Sequence, residues 1–120
     1  MKRILLRSLP DPRFPLGSEQ YEPNRVDYRA LIEQCIRVPL DRQQGATIDE
    51  MRKGIRVLDA LDRTPPEGVM QLEDADWEHL KQKVLKMPWA VIDRRFIQFH
   101  DEVVEASEAV AEPQHSDGLP

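Results

Sequence analysis

The sequence predicts a mainly α fold: about four short helices and a small two-stranded β-ribbon, residues 2–7 against 69–72. Three observations predict it. Apolar residues recur at helical spacing in four separate stretches. Helix-start chemistry stands before these stretches, at Asn24 with Asp27, at Thr47 with Glu50, at Glu73 or Asp74, and at Asp93. Only two runs, 2–9 and 69–72, read as strands, so each is the other's natural partner.

The first strand is Lys2-Arg3-Ile4-Leu5-Leu6-Arg7. Pro10, Pro12, Pro15 and Gly17 then exclude regular structure as far as Pro23, so residues 1–23 form a strand and a proline-rich arm. Addition of this arm to a sheet on a partner protein is the rival to the ribbon. Asn24 is placed to cap a helix with Asp27 at its third position. Tyr28, Leu31, Ile32, Cys35 and Ile36 follow at i, i+3, i+4, i+7 and i+8, one helical face, and Pro39 ends it. Residues 40–46 read as a polar loop.

Thr47-Ile48-Asp49-Glu50 is a capping box, in which the threonine oxygen accepts from the Glu50 amide and Glu50 reaches back. Met51, Ile55, Leu58 and then Leu61 or Asp62 form the stripe of this second helix. Gly54 within it costs about 1 kcal/mol relative to alanine, which close approach of another helix would offset. Arg63 to Gly68 turns the chain. In the third helix Trp77, Leu80, Val84 and Met87 make the buried stripe. Asp76 suits the N-terminal end of the dipole, and Lys81, Lys83 and Lys86 suit the C-terminal end. Pro88 breaks the helix, and Trp89, Val91 and Ile92 form an apolar joint. Asp93 caps a fourth helix carrying Phe96, Phe99 and Val103, flanked by Ile97 and Val104. The helical domain is therefore 24–107, and residues 108–120, poor in apolar side chains, are expected to be a disordered acidic tail.

Composition narrows the function. One hundred and twenty residues make one domain, and a net charge of −5 argues against non-specific binding to a phosphate backbone. Arg94-Arg95 and Arg25 with Arg29 could meet phosphates in a helix-turn-helix arrangement. However, Glu102, Glu105 and Glu108 would repel DNA, so direct nucleic-acid binding is not expected. No apolar run approaches the roughly 20 residues that span a bilayer, and Ile4-Leu5-Leu6 is too short for a signal-peptide core. The expected location is the cytoplasm of a bacterial host, with association to a virion as a further option.

No chemistry of a known type is spelled out. Cys35 is alone and lies on an apolar face, where a thiol acts as a small hydrophobe. His79, His100 and His115 belong to no metal-ligand spacing, and His100-Asp101-Glu102 supplies adjacent side chains that point apart on a helix. Asp59 and Asp62, and then Glu73, Asp74 and Asp76, are two acidic patches without a calcium-loop pattern. No catalytic residue, metal or cofactor is expected. The chain is instead polarised. Lys2, Arg3, Arg7 and Arg13 make its start basic, and its last residues are acidic. Those four cations, with Glu73, Asp74 and Asp76, are the candidate partner-binding residues.

The run from Leu72 through Asp76-Trp77, Leu80-Lys81, Trp89 and Asp93 to Phe96-Ile97-Gln98-Phe99 resembles small helical proteins encoded by tailed bacteriophages and prophages. With helices at 28–36 and 48–61, the likeness covers about three quarters of the chain. It departs in segment 10–23 and in the tail. The function of such proteins is unassigned, so the resemblance implies a fold and a phage context and carries over no catalytic residues. The expected function is a non-enzymatic protein-interaction module, acting in virion assembly or as a small structural component. Its partner would be a phage structural protein or a host protein, and self-association is one form such binding can take. The alternative is a small acidic regulator that binds and inhibits a host nucleic-acid-handling protein.

Overall fold

A computed structural model describes residues 1–108. Its fold is mainly α with a small β component. The elements in order are β1 (Lys2–Leu5), β2 (Ser8–Leu9), β3 (Val26–Asp27), α1 (Tyr28–Arg37), α2 (Ile48–Asp62), β4 (Val69–Leu72), α3 (Asp74–Lys86) and α4 (Arg94–Val104). The chain from 109 onward, including His115, lies outside the described residues, and with it almost all of the tail expected from the sequence.

The expected ribbon is present. β1 and β4 pair antiparallel, with Lys2 opposite Leu72 and Leu5 opposite Val69. Ile4, Met70 and Leu72 point inward and are buried. The outer edge of β1 is met by the chain after α4, where the Arg3 amide donates to the Ser107 carbonyl at 3.0 Å. The arm therefore finds its partner inside its own fold.

A second, two-residue pairing was not visible in the sequence: β2 against β3, with Ser8 opposite Asp27 and Leu9 opposite Val26. It corrects the start of the first helix. Val26 and Asp27 are extended, so α1 begins at Tyr28 with Asp27 as its cap, accepting from the Arg29 amide at 3.2 Å. Asn24 does not cap a helix; its side chain donates to the Gln20 carbonyl at 2.9 Å. All five residues of the expected α1 stripe are buried. At about 1.5–3 kcal/mol for each large aliphatic side chain removed from water, that face outweighs the roughly 1 kcal/mol of any cap.

Helix α2 starts as expected, with Thr47 Oγ1 accepting from the Glu50 amide at 3.1 Å. Glu50 does not reach back to complete the box; its carboxylate accepts from the Leu40 amide at 2.9 Å and from Lys83. The larger correction concerns the face of this helix. Gly54, Val57, Ala60 and Leu61 face the core. Ile48, Met51 and Ile55 stand 60%, 51% and 54% exposed, and Leu58 is only partly buried. The cause is close approach of α1: a Cβ at Gly54 would lie 3.1 Å from Ile36 Cγ2. Position 54 has room for little beyond a hydrogen there, so the Gly54 side of α2 faces inward and the Met51 and Ile55 side turns out.

Helix α3 lies at the centre of the packing, touching α1, α2 and α4. Leu80 and Val84 are buried, while Trp77 and Met87 are packed at the core's edge. Trp77 Nε1 donates to the Val103 carbonyl at 2.9 Å, tying α3 to the end of α4. Glu73 is the cap residue, although its side chain makes no capping bond. Asp93 caps α4 as expected, accepting from the Arg95 amide at 2.9 Å. Phe99 and Val103 are fully buried, and Phe99 meets the Tyr28 ring edge-on at 5.0 Å.

Candidate interaction surfaces

Three cations that read as surface groups in the sequence instead bind carbonyls within the fold. Lys83 Nζ donates to the Ile36 carbonyl at 3.2 Å, to the Val38 carbonyl at 2.5 Å and to Glu50 at 2.5 Å. It satisfies orphan carbonyls at the end of α1 while joining α1, α2 and α3. Arg29 likewise ties α1 to the end of α2, donating to the Leu61 carbonyl at 2.7 Å and to the Thr64 carbonyl at 2.6 Å. Arg95 donates to the Leu9 and Asn24 carbonyls at 3.1 and 2.7 Å and holds Asp93 at 2.7 Å. Arg29 and Arg95, considered as phosphate contacts, are thus engaged in holding the chain.

The seven candidate partner-binding residues divide. Arg7 forms a two-pronged pair with Glu102, at 3.2 and 2.5 Å, on the flank of the Tyr28 ring. Arg13 pairs with Asp11 at 2.8 Å. These two lie away from the others. Lys2 sits 4.7 Å over the Trp77 ring and 4.0 Å from Glu108. Arg3 is exposed. Asp74 lies 3.6 Å from the amino group of Met1, which also binds Glu108 at 2.5 Å. Asp76 pairs with Arg56 at 2.9 Å. Glu73 and Asp76 line one groove of about 250 Å³ together with Met1, Arg56, Asp59 and Arg63. Five of the seven charges therefore meet other groups of the fold rather than one another, and the groove is mixed in charge.

The ionisable groups follow from these contacts. Hydrogen bonds from the Arg13 side chain and amide, with Arg95 nearby, hold Asp11 at about 2. Burial alone would raise Glu50, yet bonds from Lys83 and the Leu40 amide leave it lowered. Burial pushes the Cys35 thiol up to about 12, partly opposed by Lys83, so it stays protonated at neutral pH. His79 is lowered by burial first and by Lys83 second. Its Nε2 is buried without a hydrogen-bond partner among the described residues.

His79 gives a pH dependence with a definite sign. In the folded chain its proton affinity is below that of the unfolded chain, so below about pH 6.5 the unfolded state binds more protons. Stability is full above that point and falls as the solution is acidified through the folded value. The carboxylates Glu50 and Asp93 add their own losses only at lower pH, below about 4.5. Chemical denaturation at about pH 7 and about pH 5 should show a loss in the parent that is smaller in His79→Gln. Equal losses in the two proteins would contradict this role.

The surface is most distinctive where it is apolar. At the joint between α3 and α4, Trp89 and Phe96 stack at 4.9 Å. Around them Val91 and Ile97 are more than half exposed and Ile92 is fully exposed. Together they form an open notch of about 530 Å³, rimmed by Asp93, His100 and Asp101. The apolar joint was legible in the sequence. That Val91, Ile92 and Ile97 face outward rather than completing the core was not. The Asp101 carboxylate meets only His100 Nδ1 among the described residues, at 2.9 Å, whereas Asp93 is neutralised by Arg95.

Among the described residues, no three His, Cys, Asp or Glu side chains gather as a metal site, and no helix is long and apolar enough to cross a membrane. No protein-family model, curated protein or solved structure matches the chain.

Proposed function

We propose that this chain is a non-enzymatic protein-interaction module and that the notch between α3 and α4 is its docking site. The observation that carries the reading is the exposure of Val91, Ile92 and Ile97 around a half-buried aromatic stack. A concave apolar patch with a polar rim is the form taken by the centre of a binding site. Its occupant is an apolar side chain of a partner protein, followed by a basic residue that answers Asp101. The resemblance to small phage-encoded proteins supports a phage structural protein as that partner and virion assembly as the setting.

The acidic-regulator reading has less support. Of Glu73, Asp74 and Asp76, the last is 13% exposed and paired with Arg56, and Asp74 sits beside the Met1 amine. The test is affinity capture from phage-producing and phage-free cells, with the parent protein and with Ile92→Asp. Capture of capsid, portal or tail proteins by the parent, lost in Ile92→Asp, is the expected result. Capture that survives the substitution would remove the notch from the function. Capture of a host polymerase or nuclease from phage-free cells would favour the regulator.

A further inference from the structure

Helix α2 carries an apolar seam that its own fold does not cover. Ile48, Met51, Ile55 and Leu58 follow one another at steps of three, four and three, the a and d positions of a heptad. The first three are each more than half exposed. One flank of the seam is closed, since Gly54 lies against Ile36 of α1. The other flank is open and bears Arg52 and Asp59, one heptad apart, with Asp62 at the seam's end. All three are exposed and make no ion pair among the described residues.

We infer that this seam receives an amphipathic helix of a partner protein, one carrying an acidic residue at Arg52 and basic residues at Asp59 and Asp62. A narrow a/d seam with charges one heptad apart on its flank matches the seam and e positions of a facing helix. The flanking charges argue against a second copy. In an antiparallel pair that seats Ile48 on Leu58 and Met51 on Ile55, the two Arg52 side chains lie on the same flank. They are offset by only two residues, about 3 Å along the axis. A parallel pair would oppose the two Asp62 carboxylates. Either arrangement meets like charge with like, and a charge-complementary foreign helix does not. The inference stands apart from the notch. Because α2 and α4 both pack on α3, a chain using both surfaces would bridge two partners.

The test uses the full chain and two synthetic helical peptides with leucine at the a and d positions that face Ile48, Met51, Ile55 and Leu58. Both are designed to lie antiparallel to α2. One carries Glu opposite Arg52 and Lys opposite Asp59 and Asp62; in the other these charges are exchanged. Titration calorimetry should show the complementary peptide binding at least about tenfold more tightly than the exchanged one. Ile55→Glu should weaken it by about tenfold or more, while Ile92→Asp leaves it unchanged. No binding, equal binding of the two peptides, or a loss caused by Ile92→Asp would overturn the inference. So would a dimer in sedimentation that Ile55→Glu dissociates, since the occupant would then be a second copy.

Discussion

Lys83→Met is expected to destabilise the fold by about 3–5 kcal/mol, far more than a lysine near a helix end ordinarily contributes. The side chain is 3% exposed, and its Glu50 partner is 13% exposed. Removing the ammonium leaves a largely buried carboxylate with only the Leu40 amide as a donor. It also orphans the Ile36 and Val38 carbonyls at the end of α1. An unpaired buried charge is the costly outcome, whereas loss of both charges is much milder. The double variant Lys83→Met with Glu50→Leu should therefore recover part of the loss. Urea denaturation followed by tryptophan fluorescence measures both, with exposed Lys86→Met as the control. A loss below about 1 kcal/mol for Lys83→Met would show that the three-helix junction does not depend on this ammonium.

Val57→Glu is expected to cost more than about 4 kcal/mol, close to the whole stability of a domain of this size. Val57 is fully buried on the inner face of α2. A carboxylate placed in that apolar cluster would have to be desolvated or protonated. Loss of the cooperative unfolding transition is the expected readout. A cooperative transition near the parent midpoint would contradict the placement of this residue.

Much of the fold was legible because its signals are local. The α1 stripe, the Thr47 and Asp93 caps and the need of residues 2–5 for a strand partner each follow from a few neighbouring residues. The rest depends on contacts between distant segments. Val26 and Asp27 carry no strand signal of their own, and their pairing with Ser8 and Leu9 displaced the helix start from Asn24. Lys83 was read as a dipole lysine because nothing near it in sequence shows the carbonyl of Ile36, 47 residues away. Periodicity alone picked the wrong apolar face of α2 for the core. It favours the bulkier Met51, Ile55 and Leu58, whereas the close approach of α1 at Gly54 selects Val57, Ala60 and Leu61. The partner-binding candidates were chosen by charge, and in the fold Arg7, Arg13 and Asp76 found Glu102, Asp11 and Arg56. The apolar surfaces that remain open lie at positions where a sequence pattern implies core.

The most direct measurement is therefore urea denaturation of Ile55→Glu beside Val57→Glu, two substitutions of equal chemistry two residues apart on one helix. The outward seam predicts that Ile55→Glu unfolds within about 1 kcal/mol of the parent while Val57→Glu loses its transition. Equal losses, or a larger loss at Ile55, would mean that α2 presents its bulky face to the core, and the seam would not exist as a surface.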